Sequence, residues 1–547
     1  MDKFYSQNNK GNYYLGLVSS VSRKNATIQI ENFSLLQSRL ISNDSLIPSS
    51  IDYTVVIESG EGLFMGTVYY TGVKNTDNVH KALDRGEKEK VLPSVFINVI
   101  AFKPLYKNDF SLPGFKTVGV GDKVYIANEN ILKEYLNSLH INEERNFSHF
   151  DNETNLLKDI GSFSNLDSVN FSIEPDTLMN RHLMVIGATG SGKSTSALNI
   201  LERLLKNRNK FLIIDPTGEY KDSFNEDEVK KITLGENATI SPGKLNMLQW
   251  SMLFELNENT QPATLFEAIQ ALRYQHKNSL DGVYIKQGKK VYAVQSDLDK
   301  LTDEEQGFDM RLLTEQIKEN SCEINKQDEY YFKSFVFNTN QFLIRKIDYV
   351  LSESSLLSFF NDDTNHDLIL YLNNFLNEDS RLYIDTSKIG IHDGVGGMIV
   401  DLVTNHLLNN ANKNKPFVFF LDEAHRYTRN NVTGNNEFYT GITSIAREGR
   451  KKGQYLLLTT QSPTDVSNIL LAQMGSLLVH RLNHQKELDT ISNFIDRDLL
   501  PTVNKLSQGE AILSSVNLLQ NIVLKMKKAS RKHDNQSPIL YKMKSDI

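Results

Sequence analysis

The sequence predicts an α/β protein with an all-β segment at its N-terminal end and a helical segment inserted into the α/β part. Three observations predict this fold class. From residue 183 onwards, short apolar runs end in polar or acidic residues, as buried parallel strands do. A glycine-rich loop separates one such run from a helical stretch. Before residue 128, alternating runs lack helical periodicity, which is typical of a small barrel or sandwich.

Length and composition limit the class of protein. At 547 residues the chain is too long for one core, and about three or four domains are expected. No apolar run approaches the roughly 18–20 residues that span a bilayer, and the first residues do not resemble a secretion signal. A single cysteine, Cys322, excludes an internal disulfide and a cysteine-rich zinc site. We therefore expect a cytoplasmic protein without a membrane segment.

The net charge of −7 argues against a polycation, so any nucleic acid must be bound through a local basic surface such as a pore.

The N-terminal segment, residues 1–127, has no residues in a catalytic pattern, which favours a role in assembly or docking. Its clearest hairpin joins residues 53–59 to 63–70 through Gly60-Glu61-Gly62. Residues 128–168 are polar, and their composition favours helix. We interpret them as a connector. Residues 169–173 alternate and predict an edge strand.

The most specific motif lies at residues 183–195. Four apolar residues predict a strand, a helical run begins after Ser194, and the loop between them fits Gly-x-x-x-x-Gly-Lys-Ser. Glycine lets backbone N–H groups converge on a polyphosphate, Lys193 can reach the β- and γ-phosphates, and the Ser194 hydroxyl can ligate Mg²⁺. The alternative is a glycine- and serine-rich turn without a ligand. We predict that a nucleoside triphosphate binds Gly187, Ala188, Thr189, Gly190, Ser191, Gly192, Lys193, Ser194 and Thr195.

A second motif follows a later apolar run. Residues 417–421 are apolar and precede Asp422 and Glu423. Asp422 is predicted to join the Mg²⁺ shell, and Glu423 to orient or activate the attacking water. The alternative is a solvated strand end. An earlier run ends at Asp215, which either lies near the nucleotide or a neighbouring subunit, or begins a turn before Pro216.

The remaining segments complete the α/β pattern. Residues 248–378 carry apolar stripes at helical spacing, which predict a mainly helical insertion whose stripes form a core. Residues 454–460 predict a buried strand, after which Gln461 could sense the γ-phosphate. Residues 477–481 and 509–513 add two further strands. The stretch after residue 521 reads as a basic tail that is solvated, with at most a weak contact role, and it contains Lys525, Lys527, Lys528, Arg531 and Lys532.

Taken in order, six motifs resemble the HerA family of hexameric DNA translocases, within the FtsK/HerA group of RecA-like P-loop ATPases. They are Gly-Ala-Thr-Gly-Ser-Gly-Lys-Ser-Thr (187–195), Asp-Pro-Thr-Gly-Glu-Tyr (215–220), Leu-Asp-Glu-Ala-His-Arg-Tyr (421–427), Ala-Arg-Glu-Gly-Arg-Lys-Lys-Gly (446–453), Thr-Gln-Ser-Pro (460–463) and Gly-Glu-Ala-Ile (509–512). Asp-Glu-Ala-His also spells a superfamily-two helicase box, but no second helicase core accompanies it.

The resemblance implies an N-terminal HAS-type barrel over residues 1–127, a RecA-like core over 169–247 and 379–520, the helical insertion over 248–378, and the basic tail over 521–547. It further implies a homo-hexamer that hydrolyses ATP with Mg²⁺ at sites between subunits and threads double-stranded DNA through its pore. Arg447 and Arg450 are the candidates for an arginine supplied to the neighbouring site, and Gln461 is the candidate sensor.

A partner protein is also implied. It is either a NurA-like nuclease or an antiviral effector such as a sirtuin-like NADase, and the N-terminal barrel is the expected docking surface. Two alternatives stay open. One is a conjugation-type coupling or secretion ATPase on the same fold, which normally carries membrane segments. The other is a hexameric ATP-binding scaffold that assembles and gates a partner enzyme with little translocation.

Overall fold

The structure is a computed structural model of the 547-residue chain. Contacts divide it into two compact units. The first comprises Met1–Leu178, Gly187–Ser196 and Gly475–Lys528, and the second Met179–Ile186, Ala197–Met474 and Ala529–Ile547. The structure describes residues 1, 4–5, 10–23, 25–31, 33–36, 40–41, 44–45, 51, 53–73, 81, 84–86, 92–138, 156–164, 166–257, 260–302, 307–361, 366–389, 393–428 and 440–533.

The strands in chain order are β1 (Tyr14–Val21), β2 (Asn25–Ile30), β3 (Leu40–Ile41), β4 (Asp44–Ser45), β5 (Thr54–Ser59), β6 (Gly62–Gly72), β7 (Ser94–Pro104), β8 (Lys123–Ile126), β9 (Leu157–Phe163), β10 (Leu166–Ile173), β11 (Leu183–Ile186), β12 (Phe211–Asp215), β13 (Lys230–Thr233), β14 (Cys322–Ile324), β15 (Tyr330–Phe332), β16 (Leu382–Asp385), β17 (Phe417–Leu421), β18 (Gln454–Thr460), β19 (Ser476–Val479), β20 (Glu510–Ser515) and β21 (Ile522–Met526).

The α-helices are α1 (Lys10–Tyr13), α2 (Glu129–Asn137), α3 (Pro175–Met179), α4 (Lys193–Lys206), α5 (Met247–Leu253), α6 (Gln261–Lys277), α7 (Val291–Leu298), α8 (Leu313–Glu319), α9 (Ser334–Leu351), α10 (Ser354–Phe359), α11 (Leu368–Asn377), α12 (Asp393–Asn410), α13 (Gly441–Glu448), α14 (Asn468–Gln473) and α15 (Gln485–Ile491).

A closed antiparallel barrel forms the N-terminal part of the first unit. Its strand order is β1-β2-β7-β6-β5-β8, and β8 pairs back onto β1. Closure leaves the barrel without an unpaired edge. The predicted hairpin is confirmed, because β5 pairs with β6 from Thr54–Thr67 to Ser59–Gly62, with Gly60 and Glu61 in the turn. The predicted all-β segment is therefore a small barrel.

Five further strands of the first unit run antiparallel in the order β10-β9-β21-β20-β19. Two of them correct the sequence predictions. The stretch read as a helix-leaning connector contains β9 as well as α2, and the stretch read as a tail begins with β21. Each pairs with its neighbour in sequence, β10 or β20, and the two pair with each other across a long separation, since Leu524 pairs with Phe163. The polar composition of the two segments hid this pairing.

The second unit contains six parallel strands in the order β11-β18-β17-β12-β16-β13. Every residue of β11, β12, β16 and β17 is buried, as expected for parallel strands covered on both faces. Parallel pairing brings the carboxyl ends of the strands to one edge. Ile186 pairs with Thr460 and Leu421 with Leu458, so β11, β18 and β17 end beside one another. The short strand β13 was not predicted.

Helices α5 to α11 of the second unit lie in the predicted insertion. A capping box between Asn246 and Gln249 begins α5, and the buried Trp250 stacks on Phe254 and Phe360. The stripes are therefore core, as predicted. The insertion also contains the hairpin β14–β15, which its sequence did not indicate. With the barrel, the P-loop core and this insertion in place, the predicted fold class is confirmed.

The last described residues of the second unit fold back onto it. Arg531 donates to both carboxylate oxygens of Glu228 over 2.6 and 2.7 Å, and Ser530 donates to Glu202 of α4. Arg531 holds the pKa of the Glu228 carboxyl at about 2. The prediction of a solvated basic tail is therefore wrong at Arg531, because its acidic partner lies 303 residues away. Within the described part of the chain, no helix has the length and apolarity needed to cross a membrane.

Candidate functional site

The glycine loop that follows β11 belongs to the first unit and has the backbone that its sequence predicts. Gly190 and Gly192 have φ angles of 75° and 112°, which side chains disfavour. Glycine is required at position 187 for a steric reason, because a β-carbon there would lie 2.5 Å from Ser191 Oγ and 2.7 Å from His480 Cβ. A larger residue at any of these three positions would therefore distort the loop.

Two backbone hydrogen bonds hold the glycine loop in place. Ala188 N donates to Arg481 O over 2.9 Å, and Gly509 N donates to Ser191 O over 2.9 Å. Arg481 lies just after β19 and Gly509 just before β20. The sequence predicted these segments only as strands and did not indicate that they support the loop.

The side chains of the loop differ in exposure. Thr189 is exposed, whereas Lys193, the first residue of α4, is only 5% exposed, and Ser194 and Thr195 are half-buried. Lys193 and Ser194 therefore stand at a helix N-terminus, where the helix dipole and free N–H groups favour an anion. Ser191 Oγ is buried without a hydrogen-bond partner among the described residues, so a polar group remains available to a ligand.

His480 packs beneath the loop. Its Nδ1 atom lies 2.8 Å from Glu510 O, a carbonyl that can only accept, so Nδ1 carries the proton. Burial, together with the nearby Lys193 charge, lowers the pKa of His480 to about 4. The imidazole is therefore neutral near pH 7.

The predicted carboxylates lie at the carboxyl end of β17 in the second unit, and both are buried. Thr459 connects them, because its hydroxyl donates to Asp422 Oδ1 and accepts from Glu423 N over 2.9 Å. Glu423 has left-handed backbone angles of φ 49° and ψ 48°. For a non-glycine residue this conformation costs roughly 1–3 kcal/mol and is common where a side chain must be aimed for function.

Gln461 and His425 contact the Glu423 carboxylate. Gln461 Nε2 donates to Oε1 over 2.5 Å, and His425 Nδ1 lies 3.2 Å from Oε2. The structure therefore brings three predicted site residues together at this edge, namely Asp422, Glu423 and Gln461. Sequence reasoning missed Thr459 and gave no role to His425. The polar pair at the end of an apolar run, Thr459-Thr460, was the available signal.

Arg447 and Arg450 lie at the end of α13 and in the 3₁₀ turn Gly449–Lys452 that follows it. Both side chains are exposed. The structure thus places both predicted arginines on the surface of the second unit.

The helix α13, which carries Arg447 and leads into the turn with Arg450, is fixed at both ends. Gly441 N, its first N–H, donates to Asp401 Oδ1 over 2.7 Å. Near its other end, Ala446 O lies 3.0 Å from Nε2 of His182, whose Nδ1 accepts from Leu456 N over 3.0 Å. His182 directly precedes β11, so one buried ring connects α13 to two of the parallel strands.

Asp215 has a structural role. Its oxygens accept hydrogen bonds from Thr217 N, Thr217 Oγ1, Gly218 N, Tyr220 N and Tyr383 Oη, at 2.8–3.0 Å. The carboxylate is fully buried and organises the turn after β12. Of the two alternatives left open for this residue, the turn is the one observed.

Comparison with known proteins gives the family. A model of the central domain of helicase HerA matches residues 158–410, and a model of the HerA-like C-terminal domain matches residues 398–519. Together the matches cover about two-thirds of the 547 residues. The glycine loop, the carboxylate pair, the arginines and Gln461 all lie within them.

A probable helicase of Methanocaldococcus jannaschii is 24% identical over 393 residues, which is 68% of this chain and 70% of the relative. A DNA double-strand break repair helicase HerA of Sulfolobus acidocaldarius is 23% identical over 365 residues, 66% of this chain and 68% of the relative. Among solved structures, VirB4 of Thermoanaerobacter pseudethanolicus matches with 16% identity and a TM-score of 0.48, over 68% of this chain and 96% of that one. The two overlapping domain matches place the chain in the HerA helicase family.

Proposed function

We propose that the chain is an ATP-hydrolysing, ring-forming translocase that acts on double-stranded DNA. The observation that carries the proposal is the buried pair Asp422 and Glu423 at the end of β17. Burying adjacent carboxylates is costly unless a cation or a reacting group shares them. One strand, β18, separates β17 from β11, and the glycine loop follows β11 directly in the chain. This is the strand arrangement that P-loop ATPases need.

In this proposal residues 187–195 bind the triphosphate of ATP. Backbone N–H groups of the loop and the dipole of α4 attract the phosphates, and Lys193 adds a full charge. The Ser194 hydroxyl and the Asp422 carboxylate are hard oxygen ligands of the kind that Mg²⁺ prefers, and each fits that role in its own surroundings. When bound, Mg²⁺ neutralises charge on the phosphates.

Glu423 is proposed to orient the attacking water and accept its proton. Its carboxylate is already fixed on one side by Gln461. Gln461 is proposed to sense the γ-phosphate through this contact, because any group that draws the amide away also releases Oε1. The left-handed backbone of Glu423 sets the direction in which the side chain leaves the strand.

The active assembly is proposed to be a homo-hexamer, in which Arg447 or Arg450 of one subunit stabilises charge at the next subunit's phosphates. Support comes from their exposure and from the fixed ends of α13.

The DNA substrate is supported by the relatives named as DNA double-strand break repair helicases. With a net charge of −7, DNA contact requires a local basic surface, and the exposed Arg447, Arg450 and Lys451 offer one.

A partner enzyme is part of the proposal, namely a NurA-like nuclease or an antiviral effector such as a sirtuin-like NADase. The closed barrel is the proposed docking surface. The loop between β7 and β8 supports this, because Leu105, Tyr106, Leu112, Phe115 and Val120 are all exposed there. The alternative is a hexameric scaffold whose nucleotide gates the partner. Hydrolysis that responds to added partner but not to duplex DNA would favour the scaffold.

The experiment that tests ATP binding and hydrolysis is the Lys193→Ala substitution. Removing the ammonium should abolish nucleotide binding or turnover, which equilibrium binding of a fluorescent ATP analogue and a phosphate-release assay would measure. Lys206→Ala, at the far end of the same helix, is the matched control and should leave both unchanged. Substantial hydrolysis by the Lys193→Ala protein would remove the phosphate loop from the proposal.

A further inference from the structure

The imidazole of His425 occupies a position between the ends of two strands. Its Nδ1 atom lies 3.2 Å from Thr460 Oγ1, at the end of β18, and 3.2 Å from Glu423 Oε2, after the end of β17. The ring lies in the 3₁₀ turn Ala424–Arg426, which immediately follows Glu423. The function proposed above uses Glu423 and Gln461 but leaves His425 without a role.

The hydrogen bonds of Thr460 determine which ring nitrogen carries the proton. The Thr460 hydroxyl donates its single proton to Ser462 O over 3.1 Å, and it accepts from Ser462 N over 3.2 Å. Toward His425 it can therefore only accept. A carboxylate likewise only accepts, so the contact with Glu423 requires the same proton position. Both neighbours assign the proton to Nδ1.

The two contacts of Nδ1 differ in kind. The ring N–H points at Thr460 and makes a hydrogen bond there. Glu423 Oε2 lies beside that bond at an equal distance, so its attraction to the N–H is electrostatic and less well aligned. Thr460 thus anchors the ring, and the anchored ring presents positive charge density to one carboxylate oxygen while Gln461 binds the other.

We infer that His425 is a positioning residue for ATP hydrolysis, which holds the Glu423 carboxylate in one orientation through an N–H anchored on Thr460. The inference rests on the function proposed above. A carboxylate that must orient water gains from being fixed before the reaction, and a displacement of about 1 Å can cost up to roughly 100-fold in rate. His425→Phe or His425→Ala would remove this restraint from Oε2.

The test compares three substitutions of His425 in the full-length protein. His425→Phe keeps a ring without the N–H, and His425→Ala removes the side chain. Both should lower kcat for ATP about 10- to 100-fold with little change in KM. His425→Asn places an amide N–H near the position of Nδ1 and should recover most of kcat. A merely structural role would not produce this split between kcat and KM or this recovery.

Thr460→Val provides the second measurement, because it removes the anchor and keeps the shape. Its effect on kcat should be smaller than that of His425→Phe, and the double variant should lose no more than His425→Phe alone. Thermal unfolding of each variant identifies any that fail to fold. Additive losses, or equal kcat for His425→Phe and wild type, would overturn the inference.

The same assays separate this inference from the function on which it rests. Lys193→Ala and Glu423→Gln are measured beside the His425 variants. If those two variants hydrolyse ATP normally, the proposed function fails. If they are inactive while His425→Phe and His425→Ala keep wild-type kcat, only the role of His425 fails.

Discussion

Glu423 combines three features at the scale of a single residue. It is buried, its backbone is left-handed, and its two carboxylate oxygens face Gln461 and His425. Strained backbone and a buried charge both lower stability, so their coincidence at one residue indicates a function that repays them. Hydrolysis of the γ-phosphate is the function that the motif and the family offer.

Glu423→Gln should therefore retain ATP binding and lose hydrolysis by about 100- to 10,000-fold, because an amide cannot accept the proton of water. Single-turnover phosphate release and binding of a fluorescent ATP analogue would measure the two properties separately. Glu448→Gln replaces an exposed carboxylate on α13 and is the control. Turnover near the wild-type rate in the Glu423→Gln protein would exclude Glu423 from the reaction.

At the scale of the element, α13 is held by buried polar groups instead of by apolar packing alone. Asp401 binds its first N–H and also accepts from Gln249 of α5, so the inserted helices help to place the helix that carries Arg447. Burial raises the pKa of Asp401. His182 binds the other end of α13, and burial lowers the pKa of its imidazole to about 4.

The lowered pKa of His182 predicts that folding stability depends on pH. An unfolded histidine, with a pKa of about 6.5, takes up a proton before the folded one does, so His182 lowers the unfolding free energy as the pH falls from about 6.5 to about 4. Above pH 6.5 the contribution is constant, and below pH 4 it no longer changes. The loss is of order 3 kcal/mol, because each pKa unit corresponds to about 1.4 kcal/mol.

Denaturant unfolding between pH 4 and pH 7 would measure this effect in wild type and in His182→Asn, since asparagine tolerates the left-handed backbone at this position. The variant should be less stable at pH 7 and should depend less steeply on pH. His276→Gln, on the exposed end of α6, should reproduce the wild-type profile. Parallel profiles for His182→Asn and wild type would contradict the assignment.

The elements predicted correctly from the sequence are those whose pattern lies within a few neighbouring residues. The apolar runs of β11, β12, β17 and β18 and the glycine loop are read directly from neighbouring residues. The strands β9 and β13 were missed because polar residues interrupt them, and β21 was missed because of the basic residues around it; each has a partner that is distant in sequence. The support of the loop by His480 and Gly509 was missed for the same reason: no local pattern states which distant backbone a loop will meet.

At the scale of the whole molecule, the arginines must find their phosphates on another subunit if the ring proposal is correct. Arg447→Ala or Arg450→Ala should each be tested alone and in rings mixed with Lys193→Ala subunits. The variant that removes the acting arginine should be inactive alone, since such an arginine contributes roughly 1,000-fold or more. Mixing should restore activity, because some sites then combine the intact glycine loop of the arginine variant with the intact arginine of a neighbouring Lys193→Ala subunit.

Steady-state phosphate release from the mixtures is the measurement. Lys413→Ala, which alters an exposed lysine between α12 and β17, is the control and should stay active alone and in mixtures. If neither arginine variant recovers activity when mixed, the arginine does not act between subunits, and the site would have to be complete within one chain.

For a DNA translocase we expect duplex DNA to stimulate ATP hydrolysis. The most direct test is therefore to measure the hydrolysis rate in the presence of DNA. The rate should rise severalfold with linear double-stranded DNA of several thousand base pairs, and less with the same mass of short duplex, because a translocase runs off short molecules. Glu423→Gln should show no stimulation. A wild-type rate that is the same with long duplex, short duplex and no DNA would contradict this expectation and favour the scaffold.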